Sequence, residues 1–274
     1  MDHKSFKSFS SKILLFGEYL VLQGGKSISF PYRPYSLKRS EVYSPKSKYF
    51  FRKLLDYIEC HDDLRDKVSE EFSREVSLGL NFESNIPVGY GLGSSGALVA
   101  SLYDNFFTDK AIEYRALKKD LADLESFFHD KSSGIDPLTS YLDRGILSGP
   151  QGIETLSNGS LGPFSLYDSG IKRSAREAIQ HFNQLIECSE FKGGLSQLAE
   201  LSDTMINKWL KMEAINDEMR QYSIIQLRYF KDFIPDSVET EWRNGLDTNE
   251  FYLKLCGAGM GGMYLKSQLA IDGK

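Results

Sequence analysis

The 274-residue chain is poor in cysteine and in long apolar runs, and each shortage excludes something. Its three cysteines, Cys60, Cys188 and Cys256, are odd in number, far apart and without CxxC spacing. That argues against a disulfide framework and a structural zinc site, and leaves them as packing thiols. No apolar run approaches the ~18 residues of a membrane-spanning helix, and the opening MDHKSFKSFSSK lacks the apolar segment of a secretory signal. The expected location is cytoplasmic. A dense basic block is missing too: 33 Lys and Arg stand against 38 Asp and Glu, for a formal charge of -5. The electrostatic footprint of a nucleic-acid or anionic-membrane binder is therefore absent, and a small molecule becomes the expected partner, with a homodimer left open. What is present, 41% hydrophobic residues including 13% aromatic, suffices for a packed core.

Along the chain, KILLFGEYLV from Lys12 reads as two short strands around a Gly17-Glu18 turn. SPKSKYFFRKLLDYIECH and DLRDKVSEEF have helical spacing, and EVSLGLNFES, from Glu75, alternates as a strand should. Ala97, Leu98, Leu102 and Phe106 recur at helical spacing, as do Leu117, Leu121, Leu124 and Phe128 in the next segment; HDKSSGIDP reads as a loop. Beyond Ile146 a turn-rich connection, SGPQGIETLSNGSLGPF, leads to one strand in SLYDSGIK, three helical patterns, and a strand, glycine turn and strand in EFYLKLCGAGMGGMYLKS. Strands mixed with helix pairs, without regular βαβ alternation, predict an α+β fold, with domains over residues 1–150 and 151–274.

Glycine is concentrated where chemistry is expected. Gly91-Leu92-Gly93-Ser94-Ser95-Gly96 fits GxGxxG, but the acidic strand end expected about 20 positions on is replaced by a helical pattern, and the Walker lysine is missing. What remains is a glycine backbone at a helix N-terminus, suited either to a polyphosphate or to a tight strand-to-helix turn. Ser94 and Ser95 fall where the helix begins, so one hydroxyl can cap it while the other faces phosphates or their magnesium ion; capping by both is the alternative. Glu125, between Leu124 and Phe127-Phe128, is an acid at the edge of an apolar face and needs a cation or a lysine as partner. Asp136 and Lys12, taken alone, read as a turn aspartate before Pro137 and a solvated lysine.

Three ordered motifs change those readings. PVGYGLGSSGA, KILLFGEYLVLQGG and KLCGAGMGGMYL resemble the central, first and third motifs of the GHMP kinases, the group of galactokinase, homoserine kinase, mevalonate kinase and phosphomevalonate kinase, and they span almost the whole chain. The resemblance implies an N-terminal domain like ribosomal protein S5 domain 2, a ferredoxin-like C-terminal domain, and ATP and acceptor in a cleft between them. It places phosphate contacts on Gly89, Gly91, Leu92, Gly93, Ser94, Ser95, Gly96, Gly257 and Gly259, and magnesium on Ser95 and Glu125. SGID at Ser133 resembles PSGxD of mevalonate kinases, which makes Asp136 the base, with Lys12 as electrostatic stabiliser.

Glu125 precedes Asp136 by the interval of the mevalonate kinase magnesium ligand, and His129 also matches a family histidine, read here as packing or capping. Glu18 and Tyr19 are implied to meet the acceptor, and Asp168-Ser169-Gly170 takes the place of a strand end that reaches the cleft. The expected reaction is phosphorylation of the primary hydroxyl of mevalonate by magnesium-ATP, with phosphomevalonate kinase, another GHMP small-molecule kinase and a noncatalytic ligand sensor as alternatives. Two departures bear on the acceptor: Gly17-Glu18-Tyr19 stands where mevalonate kinases typically read GEH, and Pro137 where Asn is common. Arg33 and Lys26 are the sequence-near candidates for facing an acceptor carboxylate.

Overall fold

The computed structural model describes residues 6–129, 131–156 and 161–268. Strand β1 (Ser8–Phe16) is buried from Phe9 onward. The second strand expected after it is instead a turn followed by one 3-10 turn, Leu20–Gln23. Gly17 at φ 100 and Tyr19 at φ 61 reverse the chain too tightly for a strand to continue. A long strand, β2 (Ser27–Arg39), follows; its buried Ser27 and Ser29 and its Pro31 and Pro34 conceal the alternation that would announce it.

Helix α1 (Lys48–Glu59) forms as expected and buries Phe51, Leu54, Leu55 and Ile58. After the short α2 (Asp62–Arg65), helix α3 (Glu70–Leu78) replaces most of the strand expected from Glu75, which shrinks to β3 (Phe82–Ser84). Phe72, Glu75 and Val76 share a buried face of α3, Arg39 donates to the Glu75 carboxylate at 2.5 Å, and Gly79 at φ 104 ends the helix. Helices α4 (Ser94–Phe106) and α5 (Tyr114–Glu125) match the sequence reading. The loop expected at HDKSSGIDP already opens α6 (Ile135–Leu142), because Pro137 is compatible with a first helical turn.

The connection read as turn-rich contains two strands, β4 (Gly145–Gly149) and β5 (Gly152–Leu156). They extend a five-stranded sheet of order β1-β2-β4-β5, in which β3 also pairs with β2, Leu37 opposite Ser84. Then come β6 (Phe164–Asp168), α7 (Ala175–Leu185), α8 (Ser189–Leu210), α9 (Asn216–Tyr229), α10 (Asp236–Thr248), β7 (Phe251–Leu255) and β8 (Met263–Gln268). The last strands form an antiparallel sheet of order β6-β8-β7, with Leu166 opposite Leu265 and Leu253 opposite Lys266. The α+β class holds.

The chain divides into two compact units that interleave in sequence. The first comprises residues 1–12, 31–87 and 93–146, and its core gathers Leu54, Ile58, Tyr103, Leu121 and Leu138. The second comprises 13–30, 88–92 and 147–274, with Phe16, Phe182, Tyr222, Phe233, Trp242 and Tyr264 buried. Burying each such side chain contributes about 1.5–3 kcal/mol, so both units have cores to hold polar groups in place. Among the described residues no helix is long and apolar enough to cross a membrane.

Candidate active site

Four of the residues singled out in the sequence meet inside the first unit. Lys12 lies on β1, Ser95 in the first turn of α4, Glu125 at the end of α5 and Asp136 in the first turn of α6. The Lys12 ammonium is 2.9 Å from the Asp136 carboxylate; the lysine side chain is 6% exposed and the aspartate 34%. An aspartate one-third open beside a buried ammonium keeps an oxygen within reach of a ligand. Two glycines make the approach feasible. A Cβ on Gly93 would come within 2.7 Å of Lys12 Cγ, and one on Gly96 within 2.9 Å of the Asp136 backbone.

Glu125 is buried, and its partners are hydroxyls: Ser95 donates to Oε1 at 3.1 Å and Ser132 to Oε2 at 2.5 Å. The lysine salt bridge considered from the sequence is not what satisfies it. Burial, and then the negative charge of Asp136, push the Glu125 carboxyl up to about 7. Ser95 Oγ also lies 3.4 Å from His129 Nε2, and the Gly134 N–H donates to Ser132 Oγ at 2.9 Å, which ties the loop before α6 to the same cluster.

Among the described residues no three His, Cys, Asp or Glu side chains cluster as a metal cage. A carboxylate and a serine hydroxyl side by side do suit a hard cation such as Mg2+, which takes few protein oxygens and completes its shell with phosphate and water. The burial that raises the Glu125 pKa is the charge deficit such an ion would relieve.

The glycine loop is divided between the units: Val88–Leu92 belongs to the second and Gly93 onward to the first. In the second unit Met263 N–H donates to Tyr90 O at 3.1 Å, and a Cβ on Gly262 would meet Tyr90 O at 2.7 Å. The third motif thus packs directly on the start of the central one. Between them lies Arg173, which sequence reading did not single out. Its backbone N–H donates to Gly89 O at 2.9 Å, and its guanidinium lies against both Gly91 and Gly257. Its only sequence signal was position, just past the Asp168-Ser169-Gly170 strand end. That strand end is itself a turn: Asp168 accepts from Gly170 N–H at 2.8 Å, and Ser169 N–H donates to Gly262 O at 3.1 Å.

The remaining expected contacts have the following surroundings. Glu18 and Tyr19, expected at the acceptor, are buried in the second unit: Glu18 pairs with Lys254 and Tyr222, and Tyr19 OH donates to Ala258 O at 2.5 Å. Tyr19 also stacks on Phe182 at 4.4 Å. Arg33 is held by Asp143 at 3.0 Å. Lys26 lies 3.5 Å from Asp203, at a cavity of about 590 Å³ lined also by Leu20, Lys192 and Leu195.

Residues 57–144 match the family described as GHMP kinases N terminal domain, while no curated protein matches the chain. Among solved structures, the mevalonate kinase of Methanococcus jannaschii superposes with a TM-score of 0.67 at 16% identity, covering 98% of this chain and 92% of that one. The L. major mevalonate kinase in complex with R-mevalonate gives 0.67 at 15% identity, covering 98% and 89%. The Streptococcus pneumoniae phosphomevalonate kinase in complex with phosphomevalonate and AMPPNP gives 0.67 at 12%, covering 97% and 92%. At these identities the likeness is one of fold.

Proposed function

We propose that the chain is a GHMP-type, ATP-dependent small-molecule kinase acting on the primary hydroxyl of mevalonate; the match of residues 57–144 to the GHMP kinase N-terminal domain and the shared fold support this reading. The observation that carries the chemistry is the Lys12–Asp136 pair at 2.9 Å, set against Gly93 and Gly96 at the start of α4. In this reading Asp136 accepts the proton of the acceptor hydroxyl as its oxygen bonds to the γ-phosphorus and the bond to the ADP oxygen breaks. The Lys12 ammonium holds the Asp136 carboxylate in place and offsets negative charge developing beside it.

As the motif resemblance implies, Gly89, Gly91, Leu92, Gly93, Ser94, Ser95, Gly96, Gly257 and Gly259 are the proposed phosphate contacts; within the second unit Arg173 adds a cation next to Gly91. Ser95 and Glu125 are the residues to hold magnesium, which when bound would neutralise phosphate charge. Mevalonate as acceptor is supported by the resemblance of the SGID stretch at Ser133 and of the Glu125 spacing to mevalonate kinases. Cytoplasmic location and direct in-line transfer without a phosphoenzyme belong to the same proposal.

The test is ADP release with magnesium-ATP against mevalonate, phosphomevalonate, homoserine and galactose. Turnover on mevalonate alone supports the reading. Turnover on phosphomevalonate alone keeps the mechanism and replaces the acceptor, and silence on all four by protein that binds ATP contradicts catalysis on these acceptors.

A further inference from the structure

A lysine in the middle of an all-buried strand calls for an explanation. In β7 every residue is buried, and Lys254 is 0% exposed. An ammonium taken wholly out of water is tolerated only when fully partnered, and an apolar residue would fill the space more cheaply. Lys254 has two acceptors, the Glu18 carboxylate and its neighbour's carbonyl, Leu255 O, at 2.6 Å. Tyr222 from α9 donates to the other Glu18 oxygen at 3.0 Å, so both carboxylate oxygens are taken.

The partner's location gives the cluster its consequence. Glu18 sits between Gly17 at φ 100 and Tyr19 at φ 61, in a turn that needs outside support. Two more bonds run beside the ion pair, Tyr19 OH to Ala258 O at 2.5 Å and Cys256 Sγ to Leu14 O at 3.7 Å. The first motif, through Leu14 in β1 and Glu18 and Tyr19 in the turn, is thereby fixed at three points to the end of β7 and the start of the third-motif loop. That loop in turn bonds Tyr90 through Met263 N–H and faces Arg173 at Gly257. All of these contacts lie within the second unit.

We propose that Lys254 and Tyr222 act through Glu18 as positioning residues, holding the third-motif loop so that residues 88–92 keep the conformation that receives nucleotide phosphates. The inference rests on the kinase reading above, and it gives Glu18 a role other than contact with the acceptor. Directional bonds from a charged pair fix the register of a turn, which apolar packing of the same volume does not.

The experiment uses the whole chain and two readouts, MgATP affinity by calorimetry and amide hydrogen exchange over residues 88–92 and 256–262. The variants are Lys254→Met, Tyr222→Phe, the neutralised pair Glu18→Gln/Lys254→Met, and Ile58→Ala, in α1 of the first unit, as a buried control outside the cluster. Lys254→Met is expected to weaken MgATP about tenfold and to speed exchange in both loops, because Glu18 is left buried without its cation. Tyr222→Phe, which loses one hydroxyl and keeps its ring, shifts both readouts in the same direction by about threefold. The neutralised pair recovers affinity to within about threefold of the parent, and Ile58→Ala leaves affinity and loop exchange unchanged at any melting temperature it reaches.

Loss of thermal stability in Lys254→Met and Tyr222→Phe with parental affinity and exchange would overturn the proposal. So would an Ile58→Ala control that loosens the loops equally. If Lys254→Met fails to fold, Tyr222→Phe alone decides. A parent that binds no MgATP would refute the nucleotide reading, and loop exchange would still decide the positioning role.

Discussion

The molecule contains two lysine–carboxylate pairs of opposite character. Lys254 and Glu18, in the second unit, are both 0% exposed and have every charged atom committed, with Tyr222 closing the set. Lys12 and Asp136, in the first, are joined at 2.9 Å, yet the aspartate remains 34% exposed and stands beside Glu125, whose carboxyl is pushed up to about 7. A sealed pair can only hold structure. An open pair next to an unneutralised acid has free-energy reserves that a ligand can use. In the proposed function the same residue types are thus divided between scaffold and chemistry by solvent access and by what lies within one further contact.

Four substitutions sharpen that contrast. Lys254→Met strands a buried carboxylate and should cost about 3–5 kcal/mol of unfolding free energy, read from the urea midpoint. Lys12→Met should lower kcat/KM by about 10²–10³-fold while leaving the urea midpoint nearer the parent's, the reverse of the first pattern. If both lysines changed stability and turnover alike, the division would fail.

Glu125→Gln tests the unneutralised acid. Its carboxyl titrates near 7 in the folded chain against an ordinary value of 4.5, so the folded state keeps a proton that the unfolded state has released. Its contribution is therefore fully present below about pH 4.5 and is lost as the pH rises through 7, a fall of about 3 kcal/mol. Glu125→Gln should flatten the fall in stability between pH 5 and 8 in the absence of nucleotide, and an unchanged slope would sink the assignment. The smallest effect belongs to Arg33→Ala, whose pair with Asp143 is open to solvent; below about 1 kcal/mol is expected.

The sequence made helices legible where one buried stripe recurs, as in α4 and α5, and it made the glycine turn between β7 and β8 legible through its flanking apolar runs. It hid β2, where Ser27 and Ser29 are buried as if apolar and two prolines interrupt the pattern. It misread α3 as a strand because Gly79, a helix stop at φ 104, looked like a residue inside an alternating run. The short strands β4 and β5 and the helix α10 also went unread.

At the site, Lys12, Ser95, Glu125 and Asp136 were each named and are brought together; Ser95 and Glu125 stood out by their own surroundings, whereas Lys12 and Asp136 were named only through the resemblance of their motifs. Arg173 was missed because its position depends on a turn, Asp168 to Arg173, that no periodicity announces. Glu18 shows the opposite limit: a motif residue was legible, but its partner Lys254 is 236 positions away, and only the fold shows that the carboxylate is already taken.

The most direct test of the central claim, that the open pair carries the chemistry, is single-turnover phosphate transfer by Asp136→Asn, with MgATP affinity measured on the same protein. The account predicts transfer slower by about 10³-fold with affinity within about threefold of the parent. Transfer within about tenfold of the parent would show that Asp136 is not the base and would contradict the account.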